Sequence, residues 1–470
     1  MKTIMEKKET VIIGSGPGGY VAAIRAAQLG QKITIIEKEY IGGVCLNVGC
    51  IPSKALVSAG NRYYEAIHSE VFGVRSTNVK IDFQKMQEWK DNKVIKPLTK
   101  GVEGLLKKNN VEIIRGTASF KNQKNLIVTT TEGEQEIEFE NAVIATGSKP
   151  VELLNEPYVI PFGKRVVDTT GGLNIQEIPK HLIILGGGYV GTQLAGAFSN
   201  FGSKVTILEK DPKIISFFDD DLVELVKKNF VEEGVTVITN VTAAHSEETD
   251  TGVIIRYEAS GVPSTVEGDY VLVTVGRKPN TDQLNLEKAG VELTASGKLT
   301  VTDQLKTTVP GIYGIGDVVP GRAFAHKASY EGKLVAEIIS GGDAKVQAKA
   351  MPVAVYTEPE LATVGMTLKE AEVSEIKHTI SKFPMKANGR ALSLNQPAGF
   401  IRLILHPDDE KIVGAQVAGA GAADLIAELA LAIDMEMVAE DLARTVHAHP
   451  TLSETVTDAA ELAMGFSIHF

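Results

Sequence analysis

The sequence predicts an α/β fold in which two Rossmann-like βαβ units are followed by a C-terminal region of α+β character. Three observations predict it. An apolar run, a glycine-rich turn, an Ala-rich stretch and a second apolar run ending in glutamate succeed one another over residues 10–37. The same order recurs over residues 182–209. After Ser340-Gly341-Gly342 the character changes to alternating strand-like runs, Val353 to Tyr356 and Gly399 to Leu405, and then to an Ala-rich helical block from Ala420.

The first unit reads Thr10 to Ile13 as strand, Gly14-Ser15-Gly16-Pro17-Gly18-Gly19 as turn, an Ala-rich helix to Leu29, and Ile33 to Glu37 as strand. Gly14, Gly16 and Gly19 fill the three glycine positions of a dinucleotide fingerprint. In the second unit Leu182 to Leu185 leads into Gly186, Gly188 and Gly191, and Val205 to Glu209 follows. Glu37 and Glu209 each stand 23 positions after the first glycine of their unit. One such fingerprint is weak evidence, but two complete units with the acid at the same offset point to two dinucleotides. Missing side chains let the backbone approach a pyrophosphate, and the helix N-terminus meets its negative charge. A carboxylate at the ribose repels a 2′-phosphate, so Glu209, followed by Lys210 and Asp211, favours NAD over NADP.

Between the units, Ala142 to Gly147 reads as a buried strand ending in a tight turn. Thr146 and Gly147 at that turn are candidate cofactor contacts. A second such strand, Tyr270 to Val275, ends at Gly276, and the two look like paired exits from the nucleotide-binding regions. Candidate boundaries follow at 1–150, 151–275, 276–345 and 346–470.

Cys45 and Cys50, in Gly42-Gly43-Val44-Cys45-Leu46-Asn47-Val48-Gly49-Cys50-Ile51-Pro52-Ser53-Lys54, are the only cysteines in 470 residues. A structural cross-link is the competing reading. A loop this short removes only about 2 kcal/mol of unfolded-chain entropy, and a chain this long has core enough without a staple. Met1 to Thr10 is short and charged with no apolar run behind it, unlike a secretory leader, and cytosolic disulfides are mostly transient and catalytic. The motif begins five residues after Glu37, so the first nucleotide site is the one beside the thiols. Hydride chemistry from a nicotinamide becomes thiol chemistry most simply through a flavin, which places a flavin first and NAD second; spacing does not name the flavin. Cys50 heads a helical-looking segment in which Pro52 is tolerated in the first turn, and a helix N-terminus together with Lys54 favours a thiolate there.

The formal charge of -11 argues against a nucleic-acid partner, whose phosphates call for clustered Lys and Arg. The most apolar run, Ala422 to Ile433, is broken by Asp424 and Glu428, so no membrane-spanning segment is expected. A cytoplasmic enzyme is expected.

These motifs resemble those of the pyridine nucleotide–disulfide oxidoreductases. The resemblance covers essentially the whole chain, through GGVCLNVGCIPSK at 42–54, ATGSKP at 145–150, GGGYVG at 186–191, VGRKPNT at 275–281, GIYGIGD at 311–317, AHKASYEG at 325–332 and HAHPTLSE at 447–454. It implies an FAD domain (1–150), an NAD domain (151–275), a segment completing the flavin site (276–345) and a C-terminal dimerisation domain (346–470). It further implies oxidation of dihydrolipoamide, delivered by the lipoyl-bearing acyltransferase of a 2-oxoacid dehydrogenase complex, by a homodimer.

The resemblance assigns Cys50 to the flavin and Cys45 to thiol interchange. It makes His449 the base and Glu454 its orienting carboxylate, both acting from the partner subunit. It places Asp317 on the ribityl chain of FAD, Ala325 and His326 at the ring end and Ala118 at the adenine side; Val241 and Gly276 become NAD contacts. Tyr189 is a candidate cover for the nicotinamide pocket. No metal site is expected, because His447 and His449 alone make an incomplete ligand set; His447 reads as structural. One departure stands out. Gln193 occupies the position where a glutamate usually pairs with the motif lysine, so Lys54 is expected to keep an uncompensated charge that favours the reduced flavin. The absence of a second cysteine pair near the C-terminus disfavours mercuric reductase and high-molecular-weight thioredoxin reductase. A scaffold docking on an acyltransferase core is the reading from another class, and it would not need Cys45 and Cys50.

Overall fold

The computed structural model describes residues 5–470; Met1 to Ile4, where the N-terminal leader reading begins, lie outside the described residues. The first sheet orders its strands Glu112–Arg115, Ile33–Glu37, Met5–Ile13, Gly133–Ile144, Asn125–Thr130 and Thr117–Phe120, and Ile312–Gly314 also pairs with Gly133–Ile144. The four pairings that place the fingerprint are parallel. Strand Ile33–Glu37 is buried along its whole length, as expected of a parallel strand covered on both faces. The first strand is longer than the sequence suggests. It begins by Met5, because its charged start pairs with Glu136 to Phe139, with Lys8 against Glu6 and Glu112.

Helix Pro17–Gln28 packs on helix Ala325–Ile339 through small residues. A Cβ on Gly332 would lie 2.6 Å from the Gly18 carbonyl oxygen, so the segment after residue 311 is held tightly against the first fingerprint.

The second parallel sheet runs Val166–Val167, Tyr270–Val273, His181–Leu185, Lys204–Leu208 and Thr236–Ile238. Its exit strand stops at Val273, two residues earlier than expected. The Thr274 hydroxyl reaches the carbonyls of Leu185 and Gly186 and turns the chain there. A further sheet, Val262–Gly268, Val253–Ala259, Val241–Glu248, Tyr158–Ile160 and Leu153–Asn155, covers this unit. The two exits join: Ser148–Pro150 pairs antiparallel with Arg277–Pro279.

The C-terminal sheet is antiparallel, in the order Val353–Val355, Leu361–Gly365, Ile412–Ala418, Phe400–Leu405 and Thr379–Pro384. Helices Ala422–Asp434 and Glu454–Ala463 bury Leu429, Ala432, Val456 and Ala459 against it, while Leu431 and Met435 stay exposed. Among the described residues no helix is long and apolar enough to cross a membrane.

Candidate active site

The two fingerprints repeat each other closely. Gly14 (φ +99°) and Gly186 (φ +100°) adopt a backbone that side chains rarely tolerate, and a Cβ on Gly19 or Gly191 would lie 1.9 or 2.0 Å from the carbonyl oxygen of that first glycine. These four positions therefore shape the turn and the helix–strand packing. Gly16 and Gly188 are the N-caps of their helices, with nearly equal dihedrals and no side-chain cap. Each helix therefore starts with backbone N–H groups that have no side-chain acceptor, and a Cβ at either glycine would meet open space.

The acids repeat as well. Glu37 accepts from the backbone N–H and hydroxyl of Ser15 (2.8 and 2.7 Å) and from the N–H of Glu39 (2.8 Å). Glu209 accepts from the N–H of Gly187 and from that of Asp211 (2.7 Å). Each carboxylate thus braces its own phosphate turn while closing the second strand.

One cavity of about 730 Å3 joins the halves. Gly14, Gly16, Glu37, Cys45, Cys50, Lys54, Ala118, Thr146, Gly147, Gly188, Gln193, Gly276, Asp317 and Ala325 all line it. The uncapped starts of both fingerprint helices open onto it. That cradle, with an acid at the end of each second strand, fits the pyrophosphates and riboses of two dinucleotides. Gly19, Gly186, Gly191 and Glu209 are not among the residues that line the cavity, so of the two acids only Glu37 is on the wall. Val241 is buried, its N–H bonded to the Glu209 carbonyl and its carbonyl to the Tyr158 hydroxyl. Thr146 is held by a reciprocal pair of bonds with Asn280 (2.8 and 2.9 Å). Tyr189 lines the cavity edge-on to Phe324, with ring centroids 6.2 Å apart, and Phe324 stacks on His326.

Cys45 lies in the short helix Gly43–Val48, and Cys50 is the first residue of helix Cys50–Ile67. The two are disulfide-bonded with Cα atoms 4.7 Å apart. Asn47 fixes the short helix by donating to the carbonyls of Ile41 and Gly43, and Thr99 bonds its side-chain oxygen from behind. Lys54, one turn beyond Cys50, donates to Gln193 and lies 4.6 Å above the Tyr356 ring. Burial pushes its ammonium down to about 8.

His449 and Glu454 do not line the cavity. The His449 Nδ1 lies 2.9 Å from Glu454 Oε1, and Glu454 Oε2 accepts from the Thr451 N–H at 2.8 Å. These bonds, the backbone one foremost, hold the Glu454 carboxyl below its usual range. The His449 side chain is 81% exposed, so the pair is assembled on a surface of the C-terminal region and turned outward. The His447 side chain, by contrast, is only 8% exposed, with Nε2 2.8 Å from Glu428 and Nδ1 2.7 Å from the Thr457 hydroxyl. Sequence reasoning passed over Ser148 and Arg277, which line the cavity beside Asp317; both stand in quoted motifs, ATGSKP and VGRKPNT.

The family described as pyridine nucleotide-disulphide oxidoreductase matches residues 8–332, and its dimerisation domain matches residues 351–460. The dihydrolipoyl dehydrogenase of Geobacillus stearothermophilus is 52% identical over 98% of this chain and 97% of its own length. That of Bacillus subtilis is 50% identical with the same coverage. Among solved structures, LpdA from Mycobacterium tuberculosis aligns with a TM-score of 0.90 at 26% identity, covering 97% of this chain and 99% of its own. The HOCl-induced flavoprotein disulfide reductase RclA from Escherichia coli aligns with a TM-score of 0.86 at 29% identity, with the same coverage.

Proposed function

The chain belongs to the pyridine nucleotide-disulphide oxidoreductase family, and we infer that it works as the dihydrolipoyl dehydrogenase of a 2-oxoacid dehydrogenase complex. It oxidises dihydrolipoamide to lipoamide through the redox-active Cys45–Cys50 disulfide and reduces NAD+ to NADH. The observation that carries this reading is a disulfide opening onto the same cavity as two uncapped fingerprint helices.

FAD would lie along the first fingerprint, held by Gly16 and Glu37 at one end and by Asp317 and Ala325 at the other, and would supply the two-electron relay between the dithiol and NAD; Gly188 and Glu209 would hold NAD. The remaining chemistry belongs to the protein. A thiol of pKa about 8.5 is mostly protonated at neutral pH, so His449 takes its proton, and Glu454 orients the imidazole and stabilises its cation. The substrate thiolate attacks Cys45 Sγ, the Cys45–Cys50 bond breaks, and Cys50 leaves as thiolate at a helix N-terminus near Lys54. Once His449 has released that proton to solvent it takes the proton of the second substrate thiol, whose sulfur attacks the substrate sulfur bonded to Cys45; lipoamide is completed and Cys45 leaves, taking the proton back from His449.

The dimerisation domain makes the working unit a homodimer. An outward-facing His449 supports a site completed across that dimer, each chain lending its histidine to the other's disulfide. The lipoyl group arrives on an acyltransferase partner. A cytoplasmic setting is supported by a pair of cysteines that must cycle through the dithiol.

Anaerobic titration tests the reading. Dihydrolipoamide or NADH should raise a long-wavelength thiolate-to-flavin band, and dihydrolipoamide but not glutathione should yield NADH. A protein that stays colourless after incubation with FAD would overturn it.

A further inference from the structure

Three segments that close the cavity meet at one hydroxyl. Ser148 is 6% exposed and begins the exit strand of the first sheet. Its Oγ–H donates to Asp317 Oδ2 at 2.5 Å, and the same oxygen accepts from Arg277 Nε at 2.7 Å. A second arm of Arg277 donates to the Ser148 carbonyl at 2.5 Å. Arg277 directly follows Gly276, on the strand leaving the second nucleotide unit. Asp317 sits in the turn Gly316–Val318, clamped from behind. Glu331 accepts from the Gly316 N–H (2.7 Å), and Lys327 bonds both Glu331 and the Gly316 carbonyl. Tyr189, at the start of the second fingerprint helix, lines the same cavity as Ser148, Arg277 and Asp317.

The hydroxyl is thus engaged both as donor and as acceptor. Asp317 cannot follow its own backbone, which the Lys327–Glu331 pair fixes. What can move is its carboxylate, and among the described residues the side chain that hydrogen-bonds it is Ser148, itself held by Arg277.

We propose that Ser148 and Arg277 are positioning residues that couple the two nucleotide sites: a dinucleotide against Gly276 fixes Arg277, which fixes the Ser148 hydroxyl, which aims Asp317 at the flavin. The inference rests on the reading that Asp317 holds the ribityl chain of FAD. A bidentate guanidinium on one residue is geometry that a lysine does not reproduce.

The test is the rate of flavin release from the holoprotein, followed by fluorescence with and without saturating NAD+. In the wild type NAD+ slows release by about fivefold or more, the usual range of coupling between sites. Ser148→Ala releases flavin about tenfold or more faster without NAD+, the effect of one lost hydrogen bond to a charged group, and its rate no longer responds to NAD+. Arg277→Lys does the same; Ser148→Ala alone decides should that variant not fold. Asp317→Asn is the reference. If it releases flavin faster while both other variants keep the wild-type rate and the wild-type response to NAD+, the coupling is wrong and the reading of Asp317 stands. If Asp317→Asn itself leaves flavin release unchanged, the reading of Asp317 falls and the coupling with it. An NAD+ effect absent from the wild type also overturns the coupling.

Discussion

Lys54 and Gln193 meet across the two halves of the site: the ammonium, on the helix that begins at Cys50, donates to the side-chain carbonyl of Gln193 on the second fingerprint helix. An amide satisfies the hydrogen bond and leaves the charge. Burial alone pushes Lys54 down from 10.5 to about 8, so at neutral pH it is still a cation, with no carboxylate paired to it among the described residues. That charge would stabilise added negative charge on a flavin bound in the cavity that Lys54 and Gln193 line.

Gln193→Glu therefore lowers the flavin midpoint at pH 7 by about 20–60 mV, equivalent to about 1–3 kcal/mol for two electrons. The sign follows from the pH dependence. Above about 8 the wild-type lysine loses its proton and the Lys54–Gln193 pair becomes neutral. In the variant Lys54 stays charged against the introduced carboxylate, and that pair is neutral too, so the difference closes. Redox titration at pH 7 and pH 9 checks this. An equal or higher midpoint in the variant at pH 7 would sink the idea.

Replacing the base pair separates thiol chemistry from hydride chemistry. His449→Gln lowers dihydrolipoamide oxidation by about 10²–10⁴-fold, the usual worth of a general base, and lowers NADH-to-dye electron transfer far less. Co-expression of His449→Gln chains with Cys45→Ser chains yields some mixed dimers with one whole site, if each histidine serves the other chain. Steady-state assays of the purified mixed dimer measure it; no recovered activity would place His449 and Cys45 in the same chain's site.

What the sequence makes legible depends on how far apart the partners lie. His449 and Glu454 are five residues apart, and each fingerprint glycine and its acid belong to one βαβ unit, so local spacing carries them. The Ser148–Asp317 and Ser148–Arg277 bonds span 169 and 129 positions, and nothing in either segment names the other. Lys54 and Gln193 are 139 apart, and only the family resemblance joined them. The charged start of the first strand hides its strand character because Glu6, Lys7 and Lys8 are held by ion pairs rather than by an apolar face.

Glu209, the acid proposed above to serve NAD, braces its turn through Gly187 and Asp211. Glu209→Ala removes the repulsion toward a 2′-phosphate and loosens the turn. Its kcat/KM for NAD+ falls about tenfold or more while that for NADP+ rises about tenfold, each tenfold being about 1.4 kcal/mol. Steady-state kinetics with dihydrolipoamide measures both, and an unchanged NADP+/NAD+ ratio would remove Glu209 from discrimination.

A buried polar chain ties the second nucleotide unit to the C-terminal sheet. Arg402, 2% exposed, bonds Gln416 and Asp221; Gln416 donates to Asp219 at 2.6 Å; and Asp219 also accepts from the N–H groups of Leu368 and Lys369. Burial raises the Asp221 carboxyl, but bonds from Lys382 and Arg402 outweigh it and hold the group below its usual range. A depressed carboxylate stabilises the fold above its unfolded value, and that contribution is lost as pH falls through the folded one. Arg402→Ala takes from Asp221 one of its two cationic partners, leaving Lys382, and strips the buried Gln416 side-chain oxygen of its donor, at a cost of about 1–3 kcal/mol concentrated at the joint between the two regions. Calorimetry of the holoprotein at pH 7 should resolve the wild-type transition into two in the variant, with the first at lower temperature. The wild type should approach that behaviour only below about pH 4. A single transition at the wild-type temperature would show that apolar packing alone holds the joint.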